Sequence, residues 1–378
     1  MSKKIIIGLI IVVLVIVGIA LVRMKREVLP PEVGPIEIKK VFFVHSYDPE
    51  DICGRPQDNG VIAKMEELGF KEGINLEIKR FYMDTKKIYT APEQMKIRGE
   101  MAIEEIKIWE PDLIMTIDDD AAREVMLPLV GTKYPIVFSG MNAPVEIYDE
   151  KVDLMESRSR PGKNVTGVIE LLRVAESVKL MQRIIPLKKL LFISDTAPVG
   201  KAVRAGFLDE LEAYKEKFPS EVELKEVSLF EDYQAIILEA NKREDINAIF
   251  PIAVSLGTKE EKRVSPKEIA KWTLQNSQKP DIAPTFFFAN FGYMAGVTID
   301  FPTLGGQAAV KAVRILKGEK AGDVSIDEAA KYTFIIALNL ARAKQLGVLI
   351  PSEIIEEAEK TGKVYETMAL YPEYKLEE

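Results

Sequence analysis

One stretch decides the fold, Val41-Phe42-Phe43-Val44-His45-Ser46-Tyr47-Asp48-Pro49, in which an apolar run ends in polar side chains. The same change from apolar to polar follows three further runs, at Asp118-Asp119-Asp120, at Ser139-Gly140-Met141-Asn142 and at Ser194-Asp195-Thr196. Short apolar runs of this kind are typical of strands buried in a parallel sheet. Because ligands bind beyond the carboxyl ends of such strands, the pattern predicts an α/β protein that holds a small molecule there.

The order of strand and helix patterns predicts two domains. The chain of 378 residues is long enough for two cores. Strand and helix patterns alternate up to residue 139 and restart after a charged segment, residues 149–164, which we interpret as the first crossing between domains. We expect strands of the second domain near residues 189–194, 222–228, 248–254 and 284–289. Repeated strand–helix units indicate two doubly wound parallel sheets.

Composition excludes several classes of function. The formal net charge is −8 and no basic stripe is present, which argues against nucleic acid as the partner. Cys53 is the only cysteine and His45 the only histidine, so a cysteine-cluster or multi-histidine metal site is excluded. We therefore expect a binding protein without cofactor, metal or catalytic residues. An enzyme that uses aspartates as acid and base is an alternative, but no nucleophile–base pair or cofactor loop supports it.

The N-terminal segment predicts a membrane anchor. Ile5–Val22 is an uncharged run of 18 residues, which as a helix spans about 27 Å, close to the hydrocarbon thickness of a bilayer. A cleaved signal peptide with Gly18-Ile19-Ala20 near its cleavage site is the alternative. Residues 23–37 are predicted to be a linker that contains the stiff spacer Leu29–Pro35.

Several motifs resemble one family of binding proteins. In chain order they are Pro111-Asp112-Leu113-Ile114, Pro135-Ile136-Val137-Phe138, Gly162-Lys163-Asn164-Val165-Thr166-Gly167-Val168, Gly305-Gly306-Gln307 with Ile315-Leu316-Lys317-Gly318-Glu319-Lys320, and Leu338-Asn339-Leu340-Ala341-Arg342-Ala343-Lys344-Gln345-Leu346-Gly347. As a set they resemble the ABC-transporter substrate-binding proteins of the tryptophan or aromatic amino-acid-binding type, over residues 40–350. His45-Ser46-Tyr47 and Thr116-Ile117-Asp118-Asp119-Asp120-Ala121 are similar to a variant branch whose domains also serve as extracellular sensors.

The resemblance implies a type I periplasmic-binding fold, in which two α/β lobes joined by three crossings close on a ligand. It assigns residues 38–160 and 291–322 to lobe one, residues 161–290 and 323–350 to lobe two, and residues 351–378 to a C-terminal helix and tail. It also implies an extracytoplasmic protein, anchored in the cell membrane, that delivers its small-molecule ligand to an ABC permease. An extracellular sensor that signals through a separate partner is the alternative.

Polar residues at the predicted strand ends are candidates for ligand contact. They are His45, Ser46, Tyr47, Asp118, Asp119, Asp120, Ser139, Gly140, Asn142, Asp195, Thr196 and Asn290. The three consecutive aspartates open a predicted helix, so capping that helix is the alternative to a ligand role. Since three carboxylates exceed what a cap requires, we expect Asp119 and Asp120 to select a ligand with positive charge or several hydroxyls. Binding of Ca²⁺ or Mg²⁺ by the carboxylate oxygens is a lesser alternative. The three aspartates depart from the pattern of the aromatic amino-acid-binding members.

Overall fold

Strands and helices alternate along the chain. The computed structural model describes residues 37–375 except 143, 171 and 214–220. The strands are β1 (Lys39–His45), β2 (Leu76–Tyr82), β3 (Leu113–Ile117), β4 (Ile136–Met141), β5 (Val165–Ile169), β6 (Lys189–Asp195), β7 (Glu221–Val227), β8 (Ala248–Pro251), β9 (Leu256–Gly257), β10 (Arg263–Val264), β11 (Ala295–Ile299), β12 (Ile326–Glu328), β13 (Phe334–Asn339), β14 (Lys363–Tyr365), β15 (Thr367–Met368) and β16 (Tyr371–Lys375). The helices are α1 (Gly54–Glu67), α2 (Pro92–Trp109), α3 (Asp119–Ala121), α4 (Val145–Val152), α5 (Val174–Ile184), α6 (Pro198–Ala213), α7 (Phe230–Lys242), α8 (Pro266–Asn276), α9 (Phe286–Phe291), α10 (Phe301–Leu316), α11 (Leu340–Gln345) and α12 (Ser352–Thr361).

A wholly parallel sheet of six strands forms the first lobe, in the order β12-β5-β4-β3-β1-β2. Val41 and Phe43 of β1 pack in one apolar cluster, and Phe42 and Val44 pack in another. Successive side chains of a strand point to opposite faces, so β1 is covered on both sides, as expected for a parallel strand between helices. The chain continues from β1 to β2 on one side and then to β3 on the other. The direction of winding therefore reverses between β1 and β3.

The second lobe contains a mixed sheet. Strands β7, β6 and β8 are parallel neighbours in that order. Single bridges from Ile249 to Asp281 and from Ile282 to Ala295 link β8 to a second group of strands, in the order β11-β13-β14. Strand β13 runs antiparallel to β11 and parallel to β14. The prediction of a wholly parallel sheet is therefore wrong for this lobe.

The chain passes between the two sheets at points other than those predicted. Strand β5 pairs with β4, and β12 pairs with β5, so both strands belong to the first lobe, whereas both were assigned to lobe two. Strand β5 packs Val165 on one face of the sheet and Val168 on the other, so it requires a sheet with helices on both sides. Conversely, β11, predicted for lobe one, pairs with β13. The predicted boundaries at residues 161, 291 and 323 are therefore wrong, and the crossings follow β5, β11 and β12.

Two further predictions for the second lobe need correction. The expected strand near residues 284–289 is helix α9, since a short apolar run fits a buried helix as well as a strand. Phe286 and Phe288 are nevertheless buried in the core. The C-terminal segment was assigned to a separate helix and tail. It belongs to the second lobe, because β14 pairs with β13 and Ile354 of α12 lies in that lobe's core.

Glycines bring helices α1 and α10 into close contact on one face of the first sheet. A Cβ atom at Gly60 would lie 1.9 Å from the Pro302 carbonyl oxygen, and one at Gly305 would lie 2.1 Å from that of Gln57. Both positions therefore require glycine for the two helices to approach this closely. The Gly305-Gly306-Gln307 motif therefore lies in the packing contact between the two helices. The contact of Gly305 with the Gln57 carbonyl sets the position of Gln57 relative to the sheet.

The predicted anchor Ile5–Val22 lies outside the described residues. Among the residues that are described, no helix is both long enough and apolar enough to cross a membrane.

Candidate functional site

The carboxyl ends of four parallel strands meet at one edge of the first sheet. The peptide N–H groups of Ser46 and Asp118 donate to carbonyls of β3 and β4 at 3.1 and 2.9 Å. The N–H of Glu170 donates to the end of β4 at 2.7 Å. The residues that follow β1, β3, β4 and β5 are thereby held side by side. Because the winding reverses between β1 and β3, this edge is the switch point at which α/β proteins bind ligands.

Asp118 is the most unusual residue of this edge. Its side chain is buried, with 3 % of the residue's surface exposed, and its backbone has φ 66° and ψ 177°. Oδ1 accepts a hydrogen bond of 2.9 Å from Gln57 Nε2, but Oδ2 has no hydrogen-bond partner among the described residues. Burial, followed by the negative charge of Asp51, raises the pKa of Asp118 well above its usual value. A buried carboxylate oxygen without a donor is costly, so this atom is suited to a donor that arrives with a ligand.

Gln57 of α1 holds Asp118 in place. Its Nε2 donates to Asp118, and its Oε1 accepts a hydrogen bond of 2.7 Å from Ser139 Oγ. Gly140, at φ 79°, leaves the space that Gln57 requires, since a Cβ there would lie 2.6 Å from Gln57 Oε1. A bulge in β4 accompanies this close contact between Gly140 and Gln57. Ser139 and Gly140 therefore act on Asp118 through Gln57.

Beside Asp118 lies a lysine ammonium between a carboxylate and an aromatic ring. Lys86 Nζ is 2.9 Å from Asp51 Oδ2 and 3.3 Å from the centroid of the Tyr47 ring. Asp51 Oδ1 accepts hydrogen bonds from the peptide N–H groups at the start of α1. Burial lowers the pKa of Lys86, but the charges of Asp51 and Asp118 outweigh it and raise that pKa. Burial and the charge of Asp118 also raise the pKa of Tyr47 well above its usual value.

Glu170 adds a further carboxylate at the end of β5. The residue is 5 % exposed, and its N–H, bonded to the end of β4, places it at the same end of the sheet as Asp118. Burial, then the charge of Asp118, raises the pKa of Glu170 well above its usual value. Asp118 and Glu170 are therefore two desolvated acids at the same end of the sheet, and the charge of Lys86 partly offsets the rise in the pKa of each.

The other two aspartates of the predicted triplet have protein partners. Asp119 Oδ2 accepts a hydrogen bond of 3.0 Å from Asn142 Nδ2, and the Asn142 peptide N–H lies 3.1 Å from Oδ1. Asp120 Oδ1 is 2.7 Å from Arg123 Nη2, and its Oδ2 is 2.5 Å from Thr85 Oγ1. These contacts organise the start of α3. A ligand role for Asp119, Asp120 or Asn142 remains a prediction, whereas Asp118 has the unpaired oxygen.

His45 and Ser46 are buried in structural contacts. The His45 ring stacks on Tyr82, with 4.6 Å between centroids, and its Nε2 lies 3.3 Å from Asp58 Oδ2. Ser46 Oγ donates to the end of β3 at 2.7 Å and accepts from the Ala121 N–H at 2.8 Å. Ser46 thereby joins β1 to both ends of the β3–α3 turn. Ligand contact by either residue remains a prediction.

The predicted residues of the second lobe do not join this cluster through their described contacts. Asp195 is fully buried, and its carboxylate accepts peptide N–H groups of Ala197, Val254 and Ser255 at 3.0, 2.8 and 2.9 Å. It ties together the loops after β6 and β8, while Thr196 is exposed. Asn290 lies in α9 and not at a strand end, and its carbonyl accepts from Ala369 at 2.9 Å. The strand-end argument for Asn290 is therefore wrong.

Sequence reasoning missed several residues of the site. These are Asp51, Gln57, Lys86 and Glu170. Glu170 directly follows the apolar run Val165–Ile169, so the rule that selected the other strand ends predicts it once β5 is placed in the first sheet. The other three lie on a turn or a helix that the fold brings to the strand ends, and no local motif distinguishes them.

The arrangement can bind a positive charge. Lys86 lies between Asp51 and the Tyr47 ring, at the end of the sheet that also carries Asp118 and Glu170. Carboxylates beside an aromatic ring are the chemistry that stabilises an ammonium group. No group of three or more His, Cys, Asp or Glu side chains within the described residues is arranged to hold a metal ion.

The chain is similar to a family of known proteins. A family model described as "ABC transporter substrate binding protein" matches residues 57–362. The chain belongs to that family. This confirms the family resemblance drawn from the sequence motifs. A curated relative, the tyrosine-binding protein of Clostridioides difficile strain R20291, is 25% identical over 298 residues, which is 78% of each chain.

Solved structures of similar fold include an ABC domain in complex with L-Trp from Streptococcus pneumonia. It is 20% identical, with a TM-score of 0.67, and the match covers 87% of this chain and 100% of that one. The ligand-free, open structure of a substrate binding protein with adhesive properties from Clostridium difficile is 19% identical, with a TM-score of 0.63 over 87% of this chain and 99% of that one. These likenesses establish the α/β periplasmic-binding-protein-like fold.

Proposed function

We propose that this substrate-binding protein captures a small molecule bearing an amine between its two lobes. The observation that carries the proposal is the buried Asp118 carboxylate at the switch point of the first sheet, whose Oδ2 lacks a donor among the described residues. An ammonium group supplies that donor, and a charge-assisted hydrogen bond contributes about 1.5–3 kcal/mol. The tyrosine-binding relative and the L-Trp complex involve ligands with an amine, which supports the same chemistry.

Delivery to an ABC permease is the second part of the proposal. The family supports transport, and the apolar run Ile5–Val22 supports a protein held at the outer face of the cell membrane by an N-terminal anchor. The ligand is bound and released without chemical change. A sensor that passes lobe closure to a separate partner is the alternative favoured by the His45-Ser46-Tyr47 motif.

Matched ligands test the amine requirement. L-Tyrosine carries an amine and a carboxylate, tyramine carries the amine alone, and 3-(4-hydroxyphenyl)propionate carries the carboxylate alone. We expect the two amines to raise the melting temperature and to give a more compact scattering profile, with the propionate inactive. At ligand 100-fold above Kd the stabilisation is about 2.7 kcal/mol. A hit with the propionate but with neither amine would contradict the proposal, as would binding without compaction.

An uptake assay with a reconstituted permease distinguishes transport from sensing. With the cognate permease and ATPase in vesicles, labelled ligand should accumulate only when the binding protein is added, and mass spectrometry should recover the ligand unaltered. Uptake that is independent of the binding protein would favour the sensor.

A further inference from the structure

Lys86 sits in a small cage built from an aromatic face and two carboxylates. We define the cage as the Tyr47 ring, the Asp51 carboxylate and the Asp118 carboxylate. The Lys86 ammonium is 3.3 Å from the Tyr47 centroid and 2.9 Å from Asp51 Oδ2. Asp118 Oδ2 and Asp51 Oδ1 lie 3.4 and 3.8 Å from the place that a Cβ would take at Gly54, so the two carboxylates are neighbours. A ring face together with carboxylates is a combination that proteins use to bind ammonium ligands. The protein's own side chain therefore occupies a site with the chemistry of an amine receptor.

Lys86 is the accessible member of this group. The side chain of Lys86 is 37 % exposed, whereas Asp51 and Asp118 are buried. It follows β2 on a turn that is fixed at its base, where the Thr85 N–H donates to the Ser46 carbonyl at 3.1 Å. The backbone of Lys86 is thus held while its long side chain can rotate outward.

We propose that Lys86 fills the cationic subsite in the unliganded protein and that a primary amine takes its place, with Lys86 turned outward, when ligand binds. This inference deepens the proposed function and rests on it for the identity of the natural ligand. The resident cation keeps Tyr47 and Asp51 partnered while the site is empty. It also competes with the ligand, because only molecules with Lys86 displaced can bind, and the apparent Kd rises accordingly.

Chemical rescue tests the cage without the natural ligand. The variant Lys86→Ala lacks Cγ to Nζ, which n-propylammonium replaces. We expect n-propylammonium to raise the melting temperature of this variant in a saturable manner, and its neutral counterpart n-propanol to have no such effect. The matched control is Lys87→Ala, because Lys87 is the exposed neighbour and pairs with Asp48 at 2.8 Å outside the cage. The proposal is overturned if n-propylammonium shifts the melting temperatures of Lys87→Ala and wild type as much as that of Lys86→Ala. It is also overturned if folded Lys86→Ala shows no shift.

A second variant covers the case in which Lys86→Ala does not fold. Lys86→Met keeps an unbranched side chain that is one heavy atom shorter, and removes the charge. We expect it to bind tyramine about tenfold more tightly than wild type does, since the competing cation is gone. Unchanged or weaker binding of tyramine overturns the displacement, because Lys86 would then assist the ligand. The rescue experiment uses neither permease nor natural ligand, so its result can be distinguished from a failure of the transport function.

Discussion

Gln57 Nε2 donates to Asp118 Oδ1 at 2.9 Å, while Oδ2 of the same carboxylate has no partner among the described residues. One oxygen fixes the side chain and the other is available. Asp118 is thus positioned before any ligand arrives, so little side-chain entropy remains to be lost on binding. Because Gln57 is itself held by Ser139, the orientation of Asp118 depends on two strands and a helix.

Asp118→Asn and Asp120→Asn should have opposite effects. Removing the charge of Asp118 is expected to weaken tyramine or L-tyrosine binding tenfold or more, while apo stability stays the same or rises because a desolvated charge is lost. Asp120→Asn is expected to leave affinity unchanged and to lower apo stability by about 1 kcal/mol, since it breaks the contact with Arg123. Calorimetric titration and urea unfolding measure both quantities. If Asp120→Asn instead weakened binding and Asp118→Asn only lowered stability, the ligand contact would lie at Asp120.

The free energy of unfolding of the apo protein should fall as the pH rises from about 4 toward neutral, because two of its acids are buried. The pKa values of Asp118 and Glu170 are raised in the folded state, whereas the unfolded values are about 3.9 and 4.3. Between the unfolded and folded pKa values the folded protein holds more protons, so stability decreases with pH. The double variant Asp118→Asn with Glu170→Gln should therefore gain stability relative to wild type across this range. The prediction would be contradicted if the difference in stability between the double variant and wild type did not change with pH.

The buried ion pair of the second lobe should contribute strongly to stability. Arg342 Nη2 lies 2.6 Å from Asp281 Oδ2, and both residues are almost fully buried. Arg342→Met leaves the carboxylate uncompensated and should cost about 3–5 kcal/mol in urea unfolding. The control Arg183→Met, which removes an exposed pair with Glu357 at 2.9 Å, should cost about 0–1 kcal/mol. Equal losses in the two variants would exclude a special role for the buried pair.

A chain that starts at Ile36 should fold and remain in solution without detergent. The basis is that the compact body begins at Lys39, whose N–H already pairs with the Asn75 carbonyl at 3.0 Å. Circular dichroism and size-exclusion chromatography measure the outcome, with the full chain expected in the membrane fraction. Aggregation of the shortened chain, with the full chain well behaved, would move the boundary.

Local patterns were sufficient to locate the first sheet and the strand ends at which the candidate site lies. The apolar runs before Ser46, Asp118 and Ser139 became neighbouring parallel strands, so their ends meet, as the spacing predicted. The partner of each strand is decided by contacts between residues far apart in sequence. For this reason β5 was assigned to the wrong lobe, and Glu170 was missed.

The division of roles among the three aspartates could not be predicted either. Asp118, Asp119 and Asp120 are identical in type and adjacent in sequence, yet each meets a different partner, respectively Gln57, Asn142 and Arg123. These partners come from α1, the end of β4 and the helical turn after α3. Only the assembled fold shows which carboxylate is left with an unpaired oxygen. Lys86 likewise enters the site from a turn without a recognisable motif.

The close contact between α1 and α10 has a consequence for synthesis on the ribosome. The face of α1 that carries Val61 and Met65 is covered by Leu304 and Ala308 of α10. Roughly 250 residues separate the two helices, and at about 5–20 residues per second they take about 10–50 s to translate. During that time the first lobe lacks α10, and the apolar face of α1 stays exposed. Chaperones that bind nascent chains therefore have a defined target on this protein, and a defined moment at which to release it.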